Sequence, residues 1–419
     1  MRQKFYFLND LKKRYPEDYI ENIKFELDNK VYHYGEQFNS YAKKTVVDKF
    51  LKTIRFNLVD LVRVIKNIFV IKKNSSYAVS GAYFGLEKHL NIQSAPMPWK
   101  GLTICSWHQY RLLRRYQNYL SNSNMIELLS SNGISRYTEI INILNDIYIR
   151  DEIKYLCIPQ DMSPYEKMSV AIFKELGKKS FVFLHGLPGR YNNIDDNRAD
   201  YLVVWGKKIK DLYVATGVDP DKIYISGHPG YGTYDFEKIK IRSGLDNILV
   251  LSKSMNGGQH SDGVRLSDRG NLILYLLKIE AVLKSIGVKS VRFRPHPSEN
   301  IRWYYQYIDK NFFKTDNSAS ISQSLRSSSM VIGPTSSVFI DSLMNGVNYM
   351  VFEPSIEKID ITNYPLVPPF DKSDPRVVVS FTEDELKTSL LNRDIVEISV
   401  LSDYVQDNFD ISFIGELIL

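Results

Sequence analysis

Arg294-Pro295-His296-Pro297 and, 36 residues further on, Gly333-Pro334-Thr335-Ser336-Ser337 are the two runs whose residue types suit chemistry on an anion. Ser336 and Ser337 stand where a helix should open, so their hydroxyls and the free backbone N–H groups of a first turn would converge on one negative group. Arg294 and His296 would add positive charge and a proton donor from the other side. Each run has a plain structural reading as well. Thr-Ser-Ser before an apolar run is an ordinary helix cap, and a histidine between prolines is a rigid turn. A purely structural turn, however, has no need of a cation, an imidazole and hydroxyls together.

The elements around these runs are expected to bring them to one place. A short β-rich run, 290–293, precedes the first, and an apolar run, 330–332, leads through the second into an amphipathic helix over 338–345. If both runs are strands of one parallel sheet, the two loops share its carboxyl edge, where open α/β sheets bind ligands.

The rest of the chain has room for that architecture twice. With 419 residues, 44% of them apolar and 13% aromatic, it suits two packed domains of roughly 200 residues each rather than one core. From about residue 102 the pattern alternates: strands are expected at 102–105, 155–158, 180–184, 201–204 and 223–226, with helices at 110–120, 164–176 and 207–216. A polar stretch over 231–246 reads as a linker. A second series follows, with strands at 248–251, 290–293, 330–332 and 349–352, a Gly-rich loop at 256–263, and helices at 271–286 and about 382–392. The expected division is a first α/β domain over 1–235, a second over 246–390, and a segment 391–419 that crosses back to the first.

Several function classes lose support. No G-x-G-x-x-G follows the first strand of either series, so a nicotinamide or flavin enzyme is not indicated, and no G-x-x-x-x-G-K-[ST] is present for ATP. An Asp-x-Asp metal motif is absent, the nearest acidic pair being Asp195-Asp196, and neither an essential metal nor an organic cofactor is expected. The two cysteines, Cys105 and Cys157, fit a reducing compartment and cannot form a cysteine zinc site. No stretch reaches the roughly 18 uncharged apolar residues of a spanning helix, and Met1-Arg2-Gln3-Lys4 does not open a signal-peptide core, so a cytoplasmic protein is expected.

The net charge of +6 is unevenly placed. Segment 42–74 holds Lys43, Lys44, Lys49, Lys52, Arg55, Arg63, Lys66, Lys72 and Lys73 against Asp48 and Asp60, with apolar residues at roughly helical spacing. It reads either as a helix lying on an anionic membrane surface or as one packed on its own domain with a solvated basic face. Nucleic acid is a poorer partner, because no zinc knuckle or RNP-type aromatic motif accompanies the charge.

Residues 157–354 resemble a bacterial group. Leu184-His185-Gly186-Leu187-Pro188 looks like the His-Gly-x-Pro loop of CDP-glycerol glycerophosphotransferases, and 218–230 looks like their strand and Gly-x-Pro turn. Arg294 to Pro297 is similar to their Arg-Pro-His loop, and Thr335-Ser336-Ser337 with Phe339-Ile340-Asp341 to their Ser-Ser helix. The same histidine-proline and Ser-Ser motifs occur in CMP-sugar-dependent sialyl- and Kdo-transferases, which build capsule and lipopolysaccharide. The resemblance implies a GT-B fold, two Rossmann-like domains facing a cleft, and roles for His296, Ser336 and Ser337 at the donor's phosphate.

Transfer from such a donor needs a base for the acceptor hydroxyl and groups that take up charge on the leaving phosphate. The resemblance implies His185 as the base, with Asp161 and Asp195 as rivals and a structural strand-end histidine as the alternative. Arg294, Pro297, Thr335, Ser252, Asp262 and Glu353 complete the expected donor side, Glu353 as acceptor for a ribose or as a solvated carboxylate. His228 and His260 sit in Gly-containing turns where a histidine needs no chemistry. The implied activity moves a sugar such as sialic acid or Kdo from CMP to an oligosaccharide or lipid-linked glycan, with inversion. Transfer of a polyol phosphate from a CDP donor is the alternative within the group. A nucleotide-sugar epimerase and a non-catalytic assembly subunit are the alternatives outside it.

Overall fold

The computed structural model describes residues 10–32, 77–81, 89–90, 92–161, 163–188, 191, 199–231, 235–252, 259–260, 263–264, 269–296, 299, 301–356, 359–360 and 366–418. Segment 42–74, Asp195, Asp262, Pro297 and most of the 256–263 loop lie outside the described residues.

Two six-stranded sheets carry the fold, and every strand pair in them is parallel. The first contains β1 (Tyr77–Ser80), β2 (Gln93–Pro96), β3 (Ile153–Ile158), β4 (Lys179–Phe183), β5 (Tyr201–Val204) and β6 (Ile223–Ile225), in the order β2-β1-β3-β4-β5-β6. Between β7 (Ile248–Leu251) and the rest of the second sheet lies a short hairpin, β8 (Gln259–His260) with β9 (Gly263–Val264). The second sheet continues with β10 (Val291–Arg294), β11 (Phe313–Thr315), β12 (Met330–Gly333) and β13 (Asn348–Phe352). A second hairpin, β14 (Ser355–Ile356) with β15 (Ile359–Asp360), precedes the last strand, β16 (Val379–Ser380), and the sheet order is β11-β10-β7-β12-β13-β16.

Counted along the chain, these orders are 2-1-3-4-5-6 and 3-2-1-4-5-6, the flavodoxin-like and Rossmann-like windings. The chain therefore has two Rossmann-like α/β domains, the GT-B architecture.

The strands form where apolar runs are covered on both faces, as parallel sheets require. β7 (Ile-Leu-Val-Leu) and β13 (Asn-Tyr-Met-Val-Phe) are buried at every position. Alternate residues of β7 feed different cores: Leu249 and Leu251 join a cluster shared with the first domain, and Ile248 and Val250 join one on the far face with Tyr275, Phe293 and Leu386. The shared cluster includes Leu156, Val182 and Val204 of the first sheet with Val331, Phe339 and Val351 of the second. An apolar seam thus joins the domains.

Residues 102–105, expected as a strand, form a bend instead. Pro96 and Pro98 remove ladder donors just ahead, and Gly101 sits so close to Pro96 that an added Cβ would lie 2.5 Å from its ring. Ser106 and Gln109 then close a capping box that starts the helix Trp107–Asn122. β1 and β2, both four residues long, were not foreseen from the sequence, and neither was the helix Ser131–Tyr148.

The last residues return to the first domain. Gln406 N–H donates to Trp205 O at 2.8 Å, and Asp410 N–H donates to Ser226 O at 2.8 Å. Phe413 stacks on Tyr224 with ring centroids 4.7 Å apart. Ile411 and Ile414 pack with Phe181 and Val203 on the outer face of the first sheet.

Candidate functional site

In the second sheet the winding direction reverses between β7 and β12, so their carboxyl ends open the crevice in which such sheets bind ligands. Ser252 ends β7, the His296 turn follows β10 next to it, and Pro334 to Ser337 follow β12 on the other side.

The loop after β12 is held by its neighbours. Tyr349 of β13 donates its hydroxyl to Pro334 O at 2.6 Å, and it passes so close to Gly333 that a Cβ there would lie 2.2 Å from the phenol oxygen. Glu353, 3% exposed at the end of β13, accepts the Thr335 N–H at 2.7 Å through Oε1. That oxygen is committed to shaping the loop, which is the role the geometry gives Glu353. Ser336 Oγ accepts the Val338 N–H at 3.2 Å, starting the helix Val338–Met344. Ser337 makes no capping bond. The Thr335 hydroxyl is buried without a hydrogen-bond partner among the described residues.

On the other side of β7, the His296 N–H donates to Ser252 Oγ at 2.7 Å and to Glu299 Oε2 at 3.1 Å, and the imidazole is exposed. Two residues expected on the donor side have partners within the protein. Ser252 is 7% exposed and its hydroxyl lies between His296 and Glu299, where it braces the turn. The Arg294 guanidinium pairs with Asp316 at 3.1 Å and donates to Ser318 O and Ser324 Oγ at 3.0 and 2.9 Å. Strand alternation is the cause, because Arg292 and Arg294 share one face and both reach Asp316. Burial works against the charge of Asp316, but hydrogen bonds from Ser324, Ser318 and Arg294 outweigh it and hold the carboxyl below its usual range.

The first domain supplies the facing wall. His185 follows β4 and is exposed, with Nδ1 at 2.7 Å from Pro159 O. A carbonyl only accepts, so Nδ1 carries the proton and Nε2 is left with a free lone pair. Trp205 fixes the preceding residue by donating from Nε1 to Leu184 O at 3.0 Å. Gly186 meets the second domain, since a Cβ placed on it would lie 3.3 Å from Ser337 Oγ. The His185 and Ser337 loops therefore sit against each other across the seam. Asp161 is 1% exposed and accepts the Ala199 N–H at 3.4 Å; this burial removes it from contact with an acceptor.

A second contact joins the domains beside this one. His228 accepts the Gly230 N–H at 3.0 Å through Nδ1 and lies between the rings of Trp205 and Tyr231. Burial lowers its pKa to about 4. Tyr231 donates its hydroxyl to Asp341 in the Ser-Ser helix, whose carboxyl is pushed up by burial and partly restored by that bond.

Glu299 and the Tyr231–Asp341 pair escaped the sequence reading. Glu299 carried a signal, a carboxylate three residues after the site histidine, whereas Tyr231 and Asp341 are 110 residues apart and had none. Among the described residues, no three His, Cys, Asp or Glu side chains group as metal ligands would.

No protein-family profile matches the chain, and no curated protein sequence matches it. Solved structures do align with it. UDP-GlcNAc 2-epimerase from Neisseria meningitidis bound to UDP-GlcNAc shares 12% identity over 82% of this chain and 98% of its own, with a TM-score of 0.45. The wall teichoic acid polymerase TagF shares 15% over 89% of this chain and 97% of its own, with a TM-score of 0.41. The lipopolysaccharide outer core galactosyltransferase WaaB shares 10% over 78% of this chain and 83% of its own, with a TM-score of 0.39. The likeness is one of architecture. It adds nothing to the two strand orders about which reaction the cleft supports.

Proposed function

We propose that the protein is a GT-B glycosyltransferase that works without a metal and moves a sugar such as sialic acid or Kdo from a CMP-linked donor to a bacterial surface glycan. The carrying observation is the approach of Gly186 to Ser337, which sets the loop that carries the exposed His185 against the serine loop of the other domain. The resemblance of the His296 and Ser-Ser loops to those of CMP-sugar transferases supports the nucleotide.

In this reading the phosphate of CMP lies between His296 and the Ser336 and Ser337 hydroxyls. The acceptor hydroxyl gives its proton to His185 Nε2 while its oxygen attacks the anomeric carbon, and the bond from that carbon to the phosphate oxygen breaks. CMP leaves with the electron pair, and His296 with the serines takes up the charge. Attack from the first-domain wall on a sugar held by the second inverts the anomeric centre.

Thermal-shift screening with CMP, CDP, UDP and GDP tests the donor, and CMP should stabilise the protein most. Replacing Ser336 and Ser337 together by Ala should weaken CMP binding by about 1–3 kcal/mol, the range for lost hydrogen bonds to a charged group. Unchanged CMP affinity in that variant places the phosphate elsewhere. Preference for CDP points instead to polyol phosphate transfer.

A further inference from the structure

The turn that carries His296 is organised around one carboxyl group. Glu299 Oε2 accepts from three segments at once: the Ser252 hydroxyl at the end of β7, the Tyr304 hydroxyl at 2.9 Å, and the His296 N–H at 3.1 Å. Ser252 Oγ shares that same N–H at 2.7 Å, so His296, Ser252 and Glu299 form a closed triangle. The other carboxyl oxygen, Oε1, is buried with no hydrogen-bond partner among the described residues. Burial accordingly raises the Glu299 carboxyl above its usual range, against the hydrogen bonds from Ser252, Tyr304 and His296.

An acceptor placed this way acts on direction more than on stability. Tyr304 is already fixed without it, fully buried and edge-on to Phe293 with centroids 5.3 Å apart. His296 is exposed, and the two bonds from its backbone N–H tie it to the sheet edge.

We propose that Glu299 is a positioning residue of the donor site, which through Ser252 and the His296 N–H sets where the imidazole stands against the leaving phosphate. This rests on the donor-site reading above. Glu299 does not touch the donor; it acts through His296. A displacement of about 1 Å in a group that must meet a transition state costs on the order of 100-fold in rate, so the effect belongs to turnover more than to affinity.

The test uses hydrolysis of CMP-sialic acid without acceptor, CMP binding, and the histidine ring region of a proton–carbon correlation spectrum. Glu299→Ala should lower kcat for hydrolysis at least tenfold while KM and the CMP dissociation constant stay within threefold. Glu299→Gln, which keeps an acceptor oxygen for the three donors, should regain most of that loss, and Ser252→Ala should fall between. Tyr304→Phe removes a donor without touching His296 and should remain within threefold of wild type. In the free protein the His296 ring signal, assigned by its loss in His296→Ala, should move in Glu299→Ala and return in Glu299→Gln. An unmoved signal in Glu299→Ala and Ser252→Ala, or a rise in KM at constant kcat, overturns the proposal. If wild-type protein binds none of the four nucleotides, the donor reading falls, and the ring signal still separates that failure from a failure of the positioning geometry.

Discussion

His185 and His296 are both exposed strand-end histidines, but their surroundings differ. The Pro159 carbonyl fixes the His185 tautomer and leaves Nε2 as an acceptor, the state a general base needs. His296 is held by its backbone N–H, and its exposed ring is the part proposed to meet a phosphate. In the proposed reaction, His185→Ala should slow sugar transfer by roughly 100-fold or more, the range for loss of a general base. CMP affinity should stay as in the wild type, because the nucleotide lies on the other wall. Full transfer activity in His185→Ala would rule it out as the base. The buried Asp161 is a poor substitute, and Asp161→Asn should show itself in the melting temperature before it shows in turnover. At this scale the sequence was legible by motif but blind to side-chain direction. Residue type and spacing single out His296, Ser336 and Ser337 as the phosphate side of the proposed site. The turning of Arg294 toward Asp316 depends on which face of β10 it occupies, which the motif does not state.

Among the described elements, the Gly227–Tyr231 turn also reaches both domains, through the Tyr231–Asp341 bond. His228 is neutral there, accepting from Gly230 N–H, and burial brings its pKa from 6.5 to about 4. The unfolded chain takes up this proton first on acidification, so the turn contributes stability that is present above about pH 6.5 and lost as pH falls toward 4. Glu299 and Asp341, raised by burial, act in the opposite sense: their contribution is lost as pH rises through their folded-state values. The difference between wild type and His228→Gln isolates the histidine, since those carboxyls are common to both. Melting temperatures across pH 4 to 6.5 should show wild type losing ground to the variant on the acid side; parallel curves would mean that His228 protonates freely in the folded protein. Legibility varied among the elements with burial. β5 and β7 were read to the residue and β12 to within one, because apolar runs covered on both faces leave little choice. β1 and β2 are short and include Ser, Gln and Pro, so pairing alone makes them strands.

For the whole molecule, the two sheets are separate α/β windings, and the carboxyl-terminal residues join one to the other. Val400, Leu401, Tyr404, Val405, Ile411 and Ile414 are all at most 1% exposed. The first four belong to the seam cluster, while Ile411 and Ile414 cover the outer face of the first sheet with Phe181 and Val203. Gly206 and Gly227 show how closely this segment lies: a Cβ on either would come within 2.4 and 2.1 Å of the Tyr404 and Asn408 backbone. Burying each such side chain is worth about 1.5–3 kcal/mol, so the six together are comparable with the roughly 5–15 kcal/mol that holds a domain folded. The proposed donor site, by contrast, stands on the second sheet, whereas Ile411 packs on the first. Ile411→Ala should therefore cost about 2–5 kcal/mol of stability, the range for emptying a core isoleucine, and leave CMP affinity as in the wild type. Chemical denaturation and nucleotide titration of the same preparation check both halves. Unchanged stability would show that the segment only lies on the sheet. A parallel loss of CMP affinity would show instead that the covered face of the first domain sets how the two walls of the cleft meet.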